Sequence, residues 1–540
     1  MRESIIKNTI FYSILVCIFY AGWFIQQKTF VNPDVSWLFE ASKRMFLGGT
    51  YSQNYYENNP PWVLYLMLPS VFISRMVSIN FEIAIRLYVV FFAILSLVLS
   101  GSLLKKILKP SDVVLRLALI LLLSFLYMII PLEEFGQREH LLIMLFMPYM
   151  LLLVCRAESK KIKPELAFFI GIIASAGMML KPYFFFAPIL IEIYLLMEKK
   201  RFSFLIRPEN SAILLMLAGY ALIIFSFHQD YLTKIVPFAM RWCYFGTRDL
   251  RAVLVFNWIS ITFFSAIFTY FLIKKENNYL KLTRVALLAM VGFFMSYLIQ
   301  QEPWFYHLMP AYSLSIFIFF LLVFQFMHIY YRKLNTPFSL KFIKFVLLVI
   351  LSSMFLLVVY CQVSIDYKIK TEKTASYKAY LNYITKHAKN ERVYVLSTNI
   401  IHTYPWVLMS DGVIPASRFS FLWFFPGMIK QEYYFMTPAS RALYLNDRAF
   451  VVNLICDDIT LQKPKLIIVD VLKRKNSLTW IGKKPKVIHL NYVDYFSENT
   501  RFKECWKHYR FKENINSAYY NKEKKILVPV YSFDVYERIE

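Results

Sequence analysis

Apolar stretches long enough to cross a bilayer recur along this chain as far as residue 361, and short basic segments separate them. A lipid core takes about 20 apolar residues per crossing helix. Eleven spans are expected, at 9–30, 82–104, 113–131, 139–155, 165–180, 183–197, 210–227, 253–273, 285–300, 308–330 and 343–361. The recurrence excludes a signal peptide as the only apolar element. Composition agrees: 58% of residues are hydrophobic and 18% charged, against roughly 25% charged in soluble domains. A simple soluble enzyme and a disordered chain are both excluded.

The net charge of +26 would suggest nucleic acid in a soluble protein. Here the basic residues lie in the loops between spans, so membrane lipids are the expected contact and no nucleic-acid partner is. Five loops are basic: Lys105, Lys106, Lys109 and Arg116; Arg156, Lys160, Lys161 and Lys163; Lys199, Lys200, Arg201 and Arg207; Lys274, Lys275, Lys281 and Arg284; Arg332, Lys333, Lys341 and Lys344. The alternate short loops carry at most one basic residue each. The positive-inside rule makes the basic loops and the N-terminus cytoplasmic, and an odd number of spans puts the C-terminus outside. Loop 228–252 is an exception on the outer side, with Lys234, Arg241, Arg248 and Arg251; this excess asks for an anionic partner or a headgroup contact. Segment 60–79 is apolar enough to be a twelfth span. Counting it would place Lys105, Lys106 and Lys109 outside, so it is expected to pack in the outer interface.

Residues 362–540 are polar, with a helical pattern near 374–388 and strand-like runs at 393–397, 450–455, 466–471, 487–490 and 526–532. This length suffices for a core of its own. The expected architecture is a mainly α polytopic membrane protein with about 11 transmembrane helices. A transmembrane domain, 1–361, carries an outer loop, 31–81, and an extracytoplasmic α/β domain follows at 362–540. None of the six cysteines has zinc-ligand spacing. Cys456 and Cys505 both fall in the outer domain, where a disulfide could persist.

Ionisable groups near a membrane core are costly and default to functional hypotheses. Four constellations stand at the outer ends of spans. Asp34 begins an amphipathic helix in the outer interface, with Val35, Leu38, Phe39, Ser42 and Phe46 on one face and Glu40, Lys43 and Arg44 opposite. It is an N-cap, a general base, or both. The hairpin 131–140, PLEEFGQREH, brings Glu133, Glu134, Arg138, Glu139 and His140 into one turn. Paired carboxylates can hold a divalent cation such as Mg²⁺ or Mn²⁺, Arg138 can fork onto a phosphate, and a solvated turn with internal salt bridges is the plain alternative. Lys181-Pro182-Tyr183 offers a cation that could equally compensate a helix dipole or snorkel. Gln300-Gln301-Glu302-Pro303-Trp304-Phe305-Tyr306-His307 mixes belt-type aromatics with Gln301, Glu302 and His307. Together the four supply a base, a carboxylate pair and cationic or hydrogen-bonding groups for an anion.

The run Asp34…Gly48-Gly49-Thr50-Tyr51…Glu57-Asn58-Asn59-Pro60-Pro61 resembles the first outer loop of the GT-C membrane glycosyltransferases. The style is that of the protein O-mannosyltransferase and lipid A aminoarabinose transferase branch. The resemblance implies an essential Asp after the first span, here Asp34, and a second acidic motif in the next outer loop, here Glu133-Glu134. It also implies many spans, an outer soluble domain and a sugar donor carried on polyprenyl phosphate, in a bacterial inner membrane. The acceptor would be a lipid, a glycan or a protein. The Gly-Gln-Arg-Glu-His run and the Gln-Glu-Pro-Trp-Phe-Tyr-His turn are not general features of that superfamily.

A lipid-phosphate donor needs no nucleotide site, and the sequence has no GxGxxG, Walker loop or soluble DxD. The reaction implied is a single displacement with inversion. Asp34 would take the acceptor's proton, Arg138, Lys181 and His307 would hold the phosphate, and Glu133 and Glu134 would bind a metal or orient the acceptor. His140, Tyr183, Gln301 and Tyr306 complete the expected binding set. A lipid-linked sugar flippase is the main rival, but it would want repeats and broken helices, and no repeat is visible. An envelope polysaccharide polymerase or ligase is a second rival, within transferase chemistry.

Overall fold

A computed structural model describes residues 2–243, 260–302, 304–332, 338–472, 477–478, 488–489, 491–521 and 526–539. The helices, in chain order, are α1 (Arg2–Gln27), α2 (Pro33–Phe46), α3 (Pro61–Met76), α4 (Phe81–Ile107), α5 (Val113–Met128), α6 (Arg138–Ala157) and α7 (Pro164–Met178). They continue with α8 (Phe186–Lys199), α9 (Pro208–Phe227), α10 (Val236–Trp242), α11 (Ser260–Ile273), α12 (Leu280–Gln300), α13 (Phe305–Arg332) and α14 (Phe338–Ala388). Among the described residues seven helices are long and apolar enough to cross a membrane, and they coincide with the expected spans near 9–30, 82–104, 139–155, 210–227, 285–300, 308–330 and 343–361. The other four expected spans fall on the shorter α5, α7, α8 and α11. The beginning of the 253–273 span lies outside the described residues, as do Arg248, Arg251 and Lys333. The protein is a multi-pass membrane protein, mainly helical, with a small sheet towards its C-terminus.

The chain forms two compact units. The first comprises residues 1–28, 83–224 and 247–368, and the second 29–82, 225–246 and 369–540. This differs from a division at 361/362. α14 runs unbroken through that point, because its sequence carries no Pro or Gly and its composition merely turns from apolar to polar. The loop after α1 and the 225–246 segment group with the tail.

In the first unit, α6 is buried along nearly its whole length. Small residues let the backbones approach, as is usual in membranes. A Cβ at Gly292 of α12 would lie 2.4 Å from the Ala187 Cα of α8, and one at Gly171 of α7 would lie 2.5 Å from the Glu209 carbonyl oxygen of α9.

In the second unit, a five-stranded mixed sheet has the order β2-β1-β3-β7-β6. Its strands are β1 (Arg392–Leu396), β2 (Ile414–Pro415), β3 (Leu466–Asp470), β6 (Tyr509–Asn521) and β7 (Ile526–Arg538); β4 (Ser477–Leu478) and β5 (Ile488–His489) pair separately. β1 runs parallel to β3, with Val393 opposite Leu466, and β7 closes antiparallel, with Ile468 opposite Val535. The core joins Tyr377, Tyr380 and Ile384 of α14 to Trp406, Ile468 and Phe533.

The run 450–455, expected as a strand, is helical instead, inside a helix spanning Pro438–Gln462. Tyr444, Val451, Val452, Ile455, Cys456 and Ile459 are buried, a helical face in which 451, 455 and 459 and likewise 452 and 456 stand four apart, and a capping box between Thr437 and Ser440 starts the helix. Helical spacing and the cap override the β propensity of the two valines. Cys456 and Cys505 are free thiols whose sulfurs lie 3.2 Å apart.

Candidate functional site

Three of the four outer-end constellations meet in the first unit, around Lys181. Its position follows from a break between two helices. α7 ends at Met178, Lys181 is extended, and Pro182 opens a single 3₁₀ turn, Pro182–Phe185, before α8. The side chain is buried. Lys181 Nζ donates to Glu139 Oε1 (2.6 Å) and Gln300 Oε1 (2.8 Å), and lies 3.2 Å from His307 Nδ1. His307 Nδ1 is also 3.1 Å from Glu139 Oε1. The tautomer decides whether that nitrogen accepts from Lys181 or donates to Glu139. The rings of Tyr183 and Tyr306 lie 5.9 and 5.6 Å from the ammonium, within cation–π range.

The partners come from two further helix ends. α6 begins at Arg138, capped by Gln137, so Glu139 stands in its first turn, where the helix dipole favours a carboxylate. Glu139 is fully buried, and its second oxygen, Oε2, has no hydrogen-bond partner among the described residues. Gln300 is the last residue of α12, and His307 lies in the first turn of α13.

The other expected residues divide. Arg138 is buried at the head of α6, beside Glu139. Glu133 and Glu134 are half-buried in a 3₁₀ turn, Leu132–Glu134, and the chain reverses at Gly136, whose φ of +85° suits glycine. Among the described residues no three His, Cys, Asp or Glu side chains group to hold a metal. Two neighbouring carboxylates would suit only an ion that keeps most of its waters.

His140 differs from the expected phosphate contact. Its Nδ1 accepts from the Gly136 N–H (3.0 Å) and its Nε2 donates to the Tyr127 carbonyl (2.9 Å). Both nitrogens serve the hairpin, so neither is left for a ligand. Gln301 is also displaced from its expected role: it is the left-handed cap of α12 (φ +51°), and Gln300 reaches Lys181 instead. Glu139, present in the hairpin run but given no role from sequence, is the residue that joins the three loops.

Asp34 belongs to the second unit. The cap of α2 is Asn32, whose Oδ1 accepts from the Asp34 N–H (2.9 Å), so Asp34 stands half-buried in the first turn. α2 is not a helix lying in an interface with one wet face. Glu40, expected on the polar side, is buried and paired with Arg44 (2.9 Å) and Lys43 (3.1 Å). Arg44 also donates to the carbonyls of Asn54, Ser417 and Pro415. Buried Glu57 of the Glu57-Asn58-Asn59 run accepts from the Trp37 indole of α2. Arg241, one of the exceptional outer cations, has its anionic partner within the chain: Asp447, at 2.8 Å.

No protein-family model matches this sequence, and no curated protein matches it. Among solved structures, ArnT from Cupriavidus metallidurans in the apo state aligns over 89% of this chain and 97% of its own, with 11% identity and a TM-score of 0.51. A structure of ArnT from the same organism bound to undecaprenyl phosphate aligns over 86% and 93%, with 11% identity and a TM-score of 0.49.

Proposed function

We propose that this chain, which has the fold of a GT-C membrane glycosyltransferase, transfers a sugar from a polyprenyl-phosphate carrier to an extracytoplasmic acceptor. The observation that carries the reading is the buried cluster of Lys181, Glu139, His307 and Gln300, drawn from three separate hairpins. Burying such groups at membrane helix ends is costly unless they act. Their charge suits a lipid phosphate, because Lys181 and Arg138 bring two positive charges against the single carboxylate of Glu139. Glu139 Oε2, buried without a partner among the described residues, is suited to accept from a sugar hydroxyl.

In the reaction, the acceptor oxygen bonds to the anomeric carbon while the carbon–oxygen bond to phosphate breaks. The bonding pair leaves on the phosphate oxygen, and the acceptor's proton passes to a base, for which Asp34 is our assignment. Attack opposite the leaving group inverts the anomeric centre. The phosphate gains negative charge as the bond breaks, so Lys181, Arg138 and His307 would hold it more tightly in the transition state than in the bound donor. We assign Glu133 and Glu134 to orienting the acceptor, a role that routes no step through a metal ion.

The test uses the purified full chain in proteoliposomes with a labelled polyprenyl-phosphate sugar. Release of free polyprenyl phosphate with labelled acceptor is the expected result. Movement of intact donor across the bilayer without cleavage would overturn the reading in favour of a flippase. Asp34→Asn should lower transfer by roughly 10²–10⁴ with expression unchanged, since Asn32 caps the helix. Near-normal turnover in this variant would move the base elsewhere.

A further inference from the structure

At the other end of α6 from Glu139, the chain builds a second cationic site that the transfer reaction does not use. Its floor is neutral. Arg156 donates to both oxygens of Glu209 (2.9 and 2.8 Å), and Arg207 pairs with Glu192 and Glu209. The rim is not neutral. Among the described residues Lys199 Nζ donates to oxygens without charge, the Ala157 carbonyl (3.2 Å) and the Ser159 hydroxyl (2.8 Å). Lys160 approaches one carboxylate, Glu158, at 3.9 Å. Lys161 has no ion pair among the described residues and is exposed. Three ammonium groups therefore face one carboxylate around a cleft of about 450 Å³ walled by Ile162 and Phe204.

The segment beside this cleft is apolar and uncovered. Phe202, which opens a 3₁₀ turn (Phe202–Leu205), is 85% exposed and Ile206, just after it, 83% exposed; Lys199, Lys200, Arg201 and Arg207 flank the segment. Water disfavours such side chains relative to burial. A membrane interface accepts both features, with apolar side chains among the acyl chains and cations at the phosphates.

We propose that this cleft binds the phosphate of an anionic membrane phospholipid, with Lys160, Lys161 and Lys199 around the phosphate and Phe202 and Ile206 seated among the acyl chains. The excess of positive charge matches a phosphodiester, and the apolar turn favours a lipid over a soluble phosphate. The site is independent of the assignments made for sugar transfer.

The test exchanges the full chain into vesicles of phosphatidylglycerol and phosphatidylcholine and counts retained lipid by native mass spectrometry. The wild type should retain phosphatidylglycerol in preference. The triple variant Lys160→Gln, Lys161→Gln, Lys199→Gln should lose that preference about tenfold or more, since one basic residue at an anionic surface contributes roughly fivefold. Should loss of the Lys199 contacts unfold the protein, Lys160→Gln with Lys161→Gln alone should lower it at least about fivefold. Lys105→Gln with Lys106→Gln, in another basic loop, should leave it unchanged. Unaltered preference in the lysine variants, or an equal loss in the control, overturns the site. Displacement of the retained lipid by excess inorganic phosphate overturns the lipid assignment and makes the cleft a soluble-phosphate site.

Discussion

The contact between Lys181 and Glu139 sets two opposite charges at 2.6 Å in a buried setting. Removing one partner strands the other. Lys181→Met should destabilise the protein by roughly 3–5 kcal/mol, whereas Lys181→Met with Glu139→Gln should recover most of that loss. If the pair serves phosphate and sugar, the double variant should stay inactive while melting near the wild-type temperature in detergent. Wild-type transfer by the double variant would make the pair structural only. In the second unit, Asp458 is held by the Arg418 side chain (2.8 Å) and backbone N–H (2.9 Å). Burial nevertheless pushes its carboxyl up to about 6, with Arg418 opposing that rise. In the unfolded chain the same carboxyl titrates near about 4. Between those values the folded state keeps a proton the unfolded state has lost, so stability falls as pH rises from about 4 to 6. Asp458→Asn should flatten that part of the melting-temperature profile, and an unchanged slope would refute the shift.

Among the elements, the packing of α12 on α8 governs the site, because α12 ends at Gln300 and α8 follows the turn that begins at Lys181. A methyl group at Gly292 would meet the α8 backbone at 2.4 Å, so the helices would have to part. Gly292→Ala should cost roughly 1–3 kcal/mol by overpacking and lower transfer as well; a variant with wild-type melting and activity would show that the interface gives way freely. The helical pattern of α2 and its buried Val35, Leu38, Phe39 and Ser42 were legible from spacing, whereas Phe46, expected on the same face, is exposed at the end of the helix. The burial of Glu40 was not legible, because its partner Arg44 is fixed by Tyr404 and the carbonyls of Pro415 and Ser417, more than 350 residues away. The helix at 450–455 was misread for a local reason: two adjacent valines outweighed a cap thirteen residues upstream.

At the scale of the whole molecule, loop charge gives an orientation that can be measured. In a chain whose native cysteines are replaced by serine, a cysteine at Lys160 should be shielded from an impermeant thiol reagent in intact cells. One at Asn499 should react. Labelling at Lys160 alone would invert the topology and move the proposed transfer to the other leaflet. A fold similar to that of ArnT is kept at 11% identity. That tolerance is physical, since helices in lipid need apolar length and close backbone approach more than particular side chains.

The sequence by itself determined the membrane class, most of the helix positions, strands β1 and β3, and the three hairpins that hold the charged groups, because apolar length, loop charge and periodicity are local quantities. Tertiary structure decided which polar atoms meet. It selected Gln300 over Gln301 through where α12 ends, turned His140 inward to satisfy Gly136 and Tyr127, and made Glu139 the common partner of Lys181 and His307. The Gln300 and Glu139 outcomes depend on contacts between residues 42 to 168 positions apart, set by helix ends and packing distances that no local pattern encodes, and the His140 outcome on how the hairpin folds back onto Tyr127, 13 positions away.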